Sequence, residues 1–263
     1  PSPPTPMTSP SRGHLLWIEL LAHDVSAARP FYEQVFGWQS VDLPMEPQPY
    51  PAFLVGELPV AGMMQMPPTT PDDAPHQWLG YFGVDDADAS AALAVAMGAT
   101  TFVPPTDIPE VGRFTVLGDP SGATVALLQP PADRPSRGPS FPPPEGHVSW
   151  ADLAVADLDA AMRFYGELLG WTPGERHDMG ELGPYQIMQI QGQDFVGLYP
   201  TSAMSPVSQW TYYVNVDTVP AALARSDTAG GRTLMGPHQV PGGQYIALVH
   251  DPVGAMIAMV GPA

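Results

Sequence analysis

His14-Leu-Leu-Trp-Ile-Glu-Leu-Leu-Ala-His-Asp-Val-Ser-Ala-Ala-Arg-Pro-Phe-Tyr-Glu-Gln-Val-Phe-Gly-Trp38 returns, 133 positions later, as His147-Val-Ser-Trp-Ala-Asp-Leu-Ala-Val-Ala-Asp-Leu-Asp-Ala-Ala-Met-Arg-Phe-Tyr-Gly-Glu-Leu-Leu-Gly-Trp171. Ten of the 25 aligned positions are identical, among them Trp17/Trp150, Phe31/Phe164, Tyr32/Tyr165 and Trp38/Trp171, and Glu19/Asp152 adds a matched acid. A period this long is no solenoid; it marks a duplicated domain.

Each copy opens as a strand and turns into a helix. Residues 14–22 are apolar with period-2 features, and Asp24 follows as an N-cap. Ala28, Phe31, Tyr32 and Val35 then recur at helical spacing until Gly37 supplies the stop. Pro30 conflicts with that helix, because it removes a backbone donor from its interior; it predicts an irregular first turn or a late start. The second copy carries no such conflict: Leu158, Ala161, Met162, Tyr165 and Leu168 form one stripe.

Beyond Trp38, short strands are expected near 52–55 and 60–66, then a strand over 78–84 and a helix over 85–97 closed by Gly98. The counterpart is a strand over 210–216 and a helix over 219–229, with Pro220 suited to its first turn. Each half ends in a hairpin, 113–117 with 124–129 around Asp119-Pro-Ser-Gly122, and 245–249 with 256–260 around Asp251-Pro-Val-Gly254. The pattern gives two βαβββ units per half and four in the chain.

Composition narrows the function. With 27 acids against 9 bases the chain has a net charge of −18, which argues against phosphate backbones and anionic membranes as partners. All nine bases are Arg, so a Schiff-base lysine and a Walker-type lysine are excluded. Cys is absent, which removes thiolate nucleophiles, disulfides and cysteine metal sites. No apolar run reaches the roughly 18 residues of a membrane span. Residues 1–13 lack the apolar segment of a secretory signal, so the expected location is the cytoplasm. Proline clusters in Pro1–Pro10 and again in Pro130–Pro144. The expected organisation is a disordered tail over 1–13, domains over 14–130 and 147–263, and an extended Pro-rich linker over 131–146.

Asp-(x)6-Phe-Tyr-(x)4-Gly-Trp after an opening strand, with Asp-Pro-x-Gly before a closing one, resembles the vicinal oxygen chelate superfamily. That group includes glyoxalase I, extradiol dioxygenases and bleomycin-resistance proteins. The resemblance covers both halves and implies an α+β fold: two tandem domains, each of two βαβββ units, forming curved, cup-like mixed sheets. It also implies metal-ligand positions, which here hold Trp17, Ala126 and residues near Met64 and Leu79 in one half. In the other they hold Trp150, Ala258 and residues near Tyr199 and Thr211. None is His, Asp or Glu, and a divalent site needs several such donors. No metal and no other cofactor is therefore expected. His14 and His147 repeat, but they stand three residues before Trp17 and Trp150, so strand alternation turns them to the opposite face.

The same alternation places Glu19 beside Trp17 and Asp152 beside Trp150, on the face that the resemblance makes the inside of the cup. A carboxylate in an apolar hollow has its charged form disfavoured, which suits it to acid–base work. Glu19 and Asp152 are thus the candidate catalytic residues, joined by His238 from the Pro/Gly-rich loop 236–243, which is expected to cap a cavity. Trp17, Trp150, Met64 and Tyr199 are the candidate substrate contacts, an aromatic and methionine lining suited to a flat molecule. Trp38 and Trp171 read as core. The expected function is a metal-independent tailoring enzyme (hydroxylase, lyase or isomerase type) acting on a hydrophobic, aromatic or polyketide-like metabolite. A drug-sequestering resistance protein and a metal-dependent glyoxalase or dioxygenase with displaced ligands are the alternatives.

Overall fold

The structure is a computed structural model that describes residues 10–45, 49–133, 143–180, 183–202 and 205–263. The first half contains β1 (Leu15–Ala22), α1 (Val25–Phe36), β2 (Gln39–Leu43), β3 (Tyr50–Val55) and β4 (Leu58–Gln65). Then follow β5 (Gln77–Gly83), α2 (Ala87–Ala96), β6 (Thr100–Ile108), β7 (Gly112–Gly118) and β8 (Thr124–Gln129). The second half repeats the order with β9 (Val148–Val155), α3 (Leu158–Leu169), β10 (Thr172–Asp178), β11 (Pro184–Ile190) and β12 (Gln193–Pro200). It closes with β13 (Gln209–Asn215), α4 (Val219–Thr228), β14 (Arg232–Gln239), β15 (Tyr245–His250) and β16 (Met256–Gly261).

The four βαβββ modules form two mixed eight-stranded sheets, ordered β2-β3-β4-β1-β5-β8-β7-β6 and β10-β11-β12-β9-β13-β16-β15-β14. In each module a helix forces the first strand to pair in parallel with the last, as β1 does with β4 and β5 with β8, while the meander between them is antiparallel.

Local chemistry sets the helix ends. Asp24 caps α1 by accepting from the amides of Ser26 and Ala27, and Asp157 caps α3 through Ala160. Gly37 and Gly170 end these helices in the left-handed conformation. Neither outcome expected for Pro30 occurs: α1 runs through it unbroken. Pro30 is exposed, so the Ser26 carbonyl that loses its partner can be hydrated.

Pleating then sorts the strands. Ile18 and Leu20 of β1 are buried at 2% and 0% exposure on the helix side, and Trp17 and Glu19 take the other side. Tyr32 of α1 is wholly buried, stacked 5.8 Å from Trp38 and edge-on to Trp78 at 5.1 Å. Tyr165 repeats this against Trp171 at 5.1 Å. Both helix-ending indoles are core, as expected.

The chain packs as two compact units, and each takes one module from each half. One unit joins α1 and β2–β4 to α4 and β14–β16; the other joins α2 and β6–β8 to α3 and β10–β12. The repeated residues make the joins. In the first unit Tyr32 donates to Asp251 Oδ2 at 2.8 Å, and Trp38 Nε1 donates to the Gly146 carbonyl at 2.8 Å. In the second, Tyr165 donates to Asp119 Oδ2 at 2.8 Å, and Trp171 Nε1 donates to the Gly13 carbonyl at 2.8 Å.

Two expectations need correction. Residues 10–13 were expected in a disordered tail, but Ser11 is fully buried, Arg12 bridges Gly83, and the Gly13 carbonyl holds Trp171. Residues 1–9 of that tail and 134–142 of the expected linker lie outside the described residues, while Pro143 and Gly146 accept hydrogen bonds from Asn215 and Trp38. The loop expected over 236–243 is strand for half of its length, because β14 extends to Gln239.

Candidate functional site

Two carboxylates are buried on the sheet faces that the helices leave uncovered, Glu19 at 3% exposure and Asp152 at 7%. Each shares a hydrogen-bond network with an indole and a phenol, and the wiring differs. In the first half Trp17 Nε1 donates to Tyr50 Oη at 3.1 Å, and Tyr50 Oη donates to Glu19 Oε1 at 2.5 Å. The phenol stands between indole and acid. In the second half Trp150 Nε1 donates to Asp152 Oδ1 at 2.9 Å and Tyr213 Oη donates to Asp152 Oδ2 at 2.7 Å, so both donors reach the acid directly.

Glu19 on β1 reaches toward β3, where Tyr50 sits; the shorter Asp152 on β9 is met from β13 by Tyr213. Space for the first arrangement comes from Gly62, which faces Glu19 across the β1–β4 pair. A Cβ added at Gly62 would stand 1.7 Å from Tyr50 Oη and 2.9 Å from Trp17 Nε1. Burial and the neighbouring Glu19 charge push the Tyr50 phenol well above its ordinary range, so it remains a proton donor at any working pH.

The structure joins Trp150 to Asp152 directly and Trp17 to Glu19 through Tyr50. Met64 lies on the Glu19 side of β4 and is 44% exposed, while Tyr199 of β12 is half-buried and stacks on Tyr185 with ring centroids 6.4 Å apart. His238 does not cap a cavity from a loop; it is exposed on β14, the outermost strand of its sheet. His14 hydrogen-bonds Gln191, and burial pushes its imidazole pKa down; His147 Nδ1 is 3.1 Å from the Glu145 carbonyl. Tyr50, Gly62 and Tyr213 were missed. A signal existed, because Pro49-Tyr50 returns as Pro184-Tyr185 and Trp78-x-x-Tyr81 as Trp210-x-x-Tyr213.

Most of the positions at which the family resemblance implies metal ligands do not suit an ion. Ala126 and Ala258 are fully buried and have no donor atom, Leu79 has none, and the indoles of Trp17 and Trp150 donate to Tyr50 and Asp152. Among the described residues, no three His, Asp or Glu side chains gather as a ligand set.

Comparison with known proteins places this geometry in context. The family model described as "Glyoxalase/Bleomycin resistance protein/Dioxygenase superfamily" matches residues 14–127 and again 146–259. "Putative glyoxylase CFP32" of Mycobacterium tuberculosis (strain CDC 1551 / Oshkosh) is 31% identical over 258 residues, covering 94% of this chain and 94% of that protein. "Anthracycline biosynthesis protein DauV" of Streptomyces sp. (strain C5) is 28% identical over 270 residues, covering 97% and 95%. Among solved structures, the Mn(II)-bound glyoxalase from Novosphingobium aromaticivorans superposes with a TM-score of 0.66 at 14% identity, over 97% of this chain and 83% of that one. At that identity the likeness concerns the fold alone.

Proposed function

The chain belongs to the Glyoxalase/Bleomycin resistance protein/Dioxygenase superfamily, and from that premise we propose that it is a metal-independent tailoring enzyme of secondary metabolism acting on a hydrophobic, aromatic or polyketide-like small molecule. The observation that carries this reading is the pair of buried carboxylates, Asp152 held by Trp150 and Tyr213 and Glu19 held by Tyr50, which in turn accepts from Trp17. Near-full-length similarity to an anthracycline biosynthesis protein supports the substrate class.

Proton transfer is the chemistry these side chains can perform. Asp152, oriented by Trp150 and Tyr213, accepts a proton from an acidic C–H or O–H of the ligand and returns it at another atom, which is isomerase or lyase chemistry. Glu19 does the same through the Tyr50 side of its network. Trp17, Trp150, Met64 and Tyr199 supply apolar and stacking contacts. A hydroxylation would in addition draw its oxidant from outside this set of residues.

Glu19→Gln and Asp152→Asn keep the shape of each site and remove the base. Turnover of the substrate should fall by at least about 100-fold while ligand affinity changes little. Unchanged turnover in both variants would remove the acid–base assignment. The burial of both carboxylates among donors also fits a second reading, a sequestering protein, in which wild type and variants bind alike and none turns the ligand over. Metal analysis of protein purified without chelator tests the metal-free part of the proposal, which stoichiometric Fe, Zn, Ni or Mn would overturn.

A further inference from the structure

The two halves differ at a position that the acid–base proposal does not use. Thr211 on β13 is 1% exposed, and its hydroxyl finds no hydrogen-bond partner among the described residues. Strand alternation puts it on the same face as Tyr213, two residues on, whose phenol holds Asp152. The helix side of β13 goes instead to Trp210 and Tyr212, which stack on each other at 6.1 Å. The corresponding position in the first half is Leu79, also buried, with no polar atom to satisfy.

A buried hydroxyl without a partner costs stability, and an apolar residue at the same place would not. Leu79 shows that the fold accepts the apolar choice. The second half therefore carries a polar group that its own packing does not employ, beside a carboxylate already oriented by two donors. We infer that Thr211 is a specificity-determining residue: its hydroxyl hydrogen-bonds a carbonyl or phenolic oxygen of the aromatic ligand, held on the face that carries Asp152 and Tyr213. The second half thereby selects oxygenated rings, and the first half, with Leu79, does not. The hydroxyl is shielded from bulk water, so a ligand oxygen that reaches it, once overlying side chains part, meets little competition from solvent.

This inference rests on the proposed aromatic ligand class, and its test separates the two. Quenching of tryptophan fluorescence is titrated with 1,4-dihydroxyanthraquinone and with anthracene, which share a three-ring outline but differ in oxygen. Thr211→Val replaces the hydroxyl by a methyl of similar size, and Thr211→Ser retains it. The valine variant should bind the hydroxyquinone about tenfold more weakly, bind anthracene as the wild type does, and melt without ligand at an equal or higher temperature. The serine variant should hold the hydroxyquinone within about threefold of wild type. Equal affinities of wild type and Thr211→Val for the hydroxyquinone, parallel losses for both compounds, or a lower melting temperature of the ligand-free valine variant would overturn the role of Thr211 and leave the proposed function standing. Failure of the wild type to bind either compound would defeat both.

Discussion

At the scale of single residues, the first-half network depends on an absent side chain. Gly62 has no positive φ to explain it; it is glycine because the Tyr50 hydroxyl occupies the volume that a Cβ would need. Gly62→Ala should therefore drive Tyr50 off Glu19, and overpacking of this kind costs about 1–3 kcal/mol, measurable by urea denaturation. Removing the colliding oxygen should return part of that loss, so Gly62→Ala with Tyr50→Phe should be more stable than the sum of the single changes predicts. Strict additivity would mean that the two sites are not in contact. Tyr50→Phe alone removes a donor from a buried acid, at a cost of about 1–3 kcal/mol. The sequence disclosed one side of this site and hid the other. Alternation along β1 is a property of neighbours in the chain, so Trp17 and Glu19 could be phased from the sequence. Their contact with Tyr50 is a property of strand pairing, 31 residues away in the chain for Glu19, and no local rule supplies that register.

Elements were legible in proportion to their burial. All four helices announce themselves through an Asp or Thr cap and through a glycine at or just after the C-cap, Gly37, Gly98, Gly170 and Gly230. The central strands show as apolar runs. Six strands received no residue range: β2, β6, β10 and β14, the outermost strands of the two sheets, and β11 and β12, expected only within the βαβββ pattern of the second half. Edge strands are mostly exposed, need no apolar alternation and tolerate proline, as Pro104 and Pro105 show within β6. Register shifts along β6, β10 and β14 break what period remains. The turns that close each half have a pH signature. Asp119 and Asp251 each accept two amide N–H groups of their own turn through Oδ1 and a tyrosine O–H through Oδ2. Burial nevertheless pushes both carboxyl pKa values up, and the hydrogen bonds only partly offset it. A pKa raised by folding means that the native state takes up the proton first as pH falls. The stabilising contribution is therefore complete below the unfolded value, about 3.9, and is lost as pH rises through the folded one. Relative to Asp251→Asn, the wild type should gain stability on acidification from neutral pH, read from urea midpoints across that range; a constant difference would contradict the raised pKa. Tyr32→Phe and Tyr165→Phe should each cost about 1.5–3 kcal/mol, and the first also takes from Trp78 Nε1 the hydroxyl it donates to at 2.9 Å.

For the whole molecule, the repeat seen in the sequence and the packing of the chain are different partitions. The Phe-Tyr and Asp-Pro-x-Gly motifs, which carry the family resemblance, bond to each other across the halves: Tyr32 with Asp251, Tyr165 with Asp119. The indoles that end α1 and α3 likewise bond to the carbonyls that precede β9 and β1, in the opposite half. Covalent continuity between the halves should then be dispensable once the chain has folded. If a protease site is introduced in 134–142 and the folded protein is cut there, the two pieces should co-elute on size-exclusion chromatography at the volume of the intact 28.0 kDa chain. Both halves are net acidic, so Coulomb repulsion opposes their association. Dilution of the cut protein should therefore release the pieces more readily at low salt than at high salt. Each half expressed alone would expose the apolar surface around Tyr32 or Tyr165 and leave its Asp-Pro-x-Gly carboxylate without the tyrosine. It should melt non-cooperatively, and mixing the two halves should restore a sharp transition. Separation of the cut pieces at every salt concentration, with each piece keeping its own cooperative melt, would show instead that the sequence repeat is the folding unit and that the cross-half bonds are incidental to it.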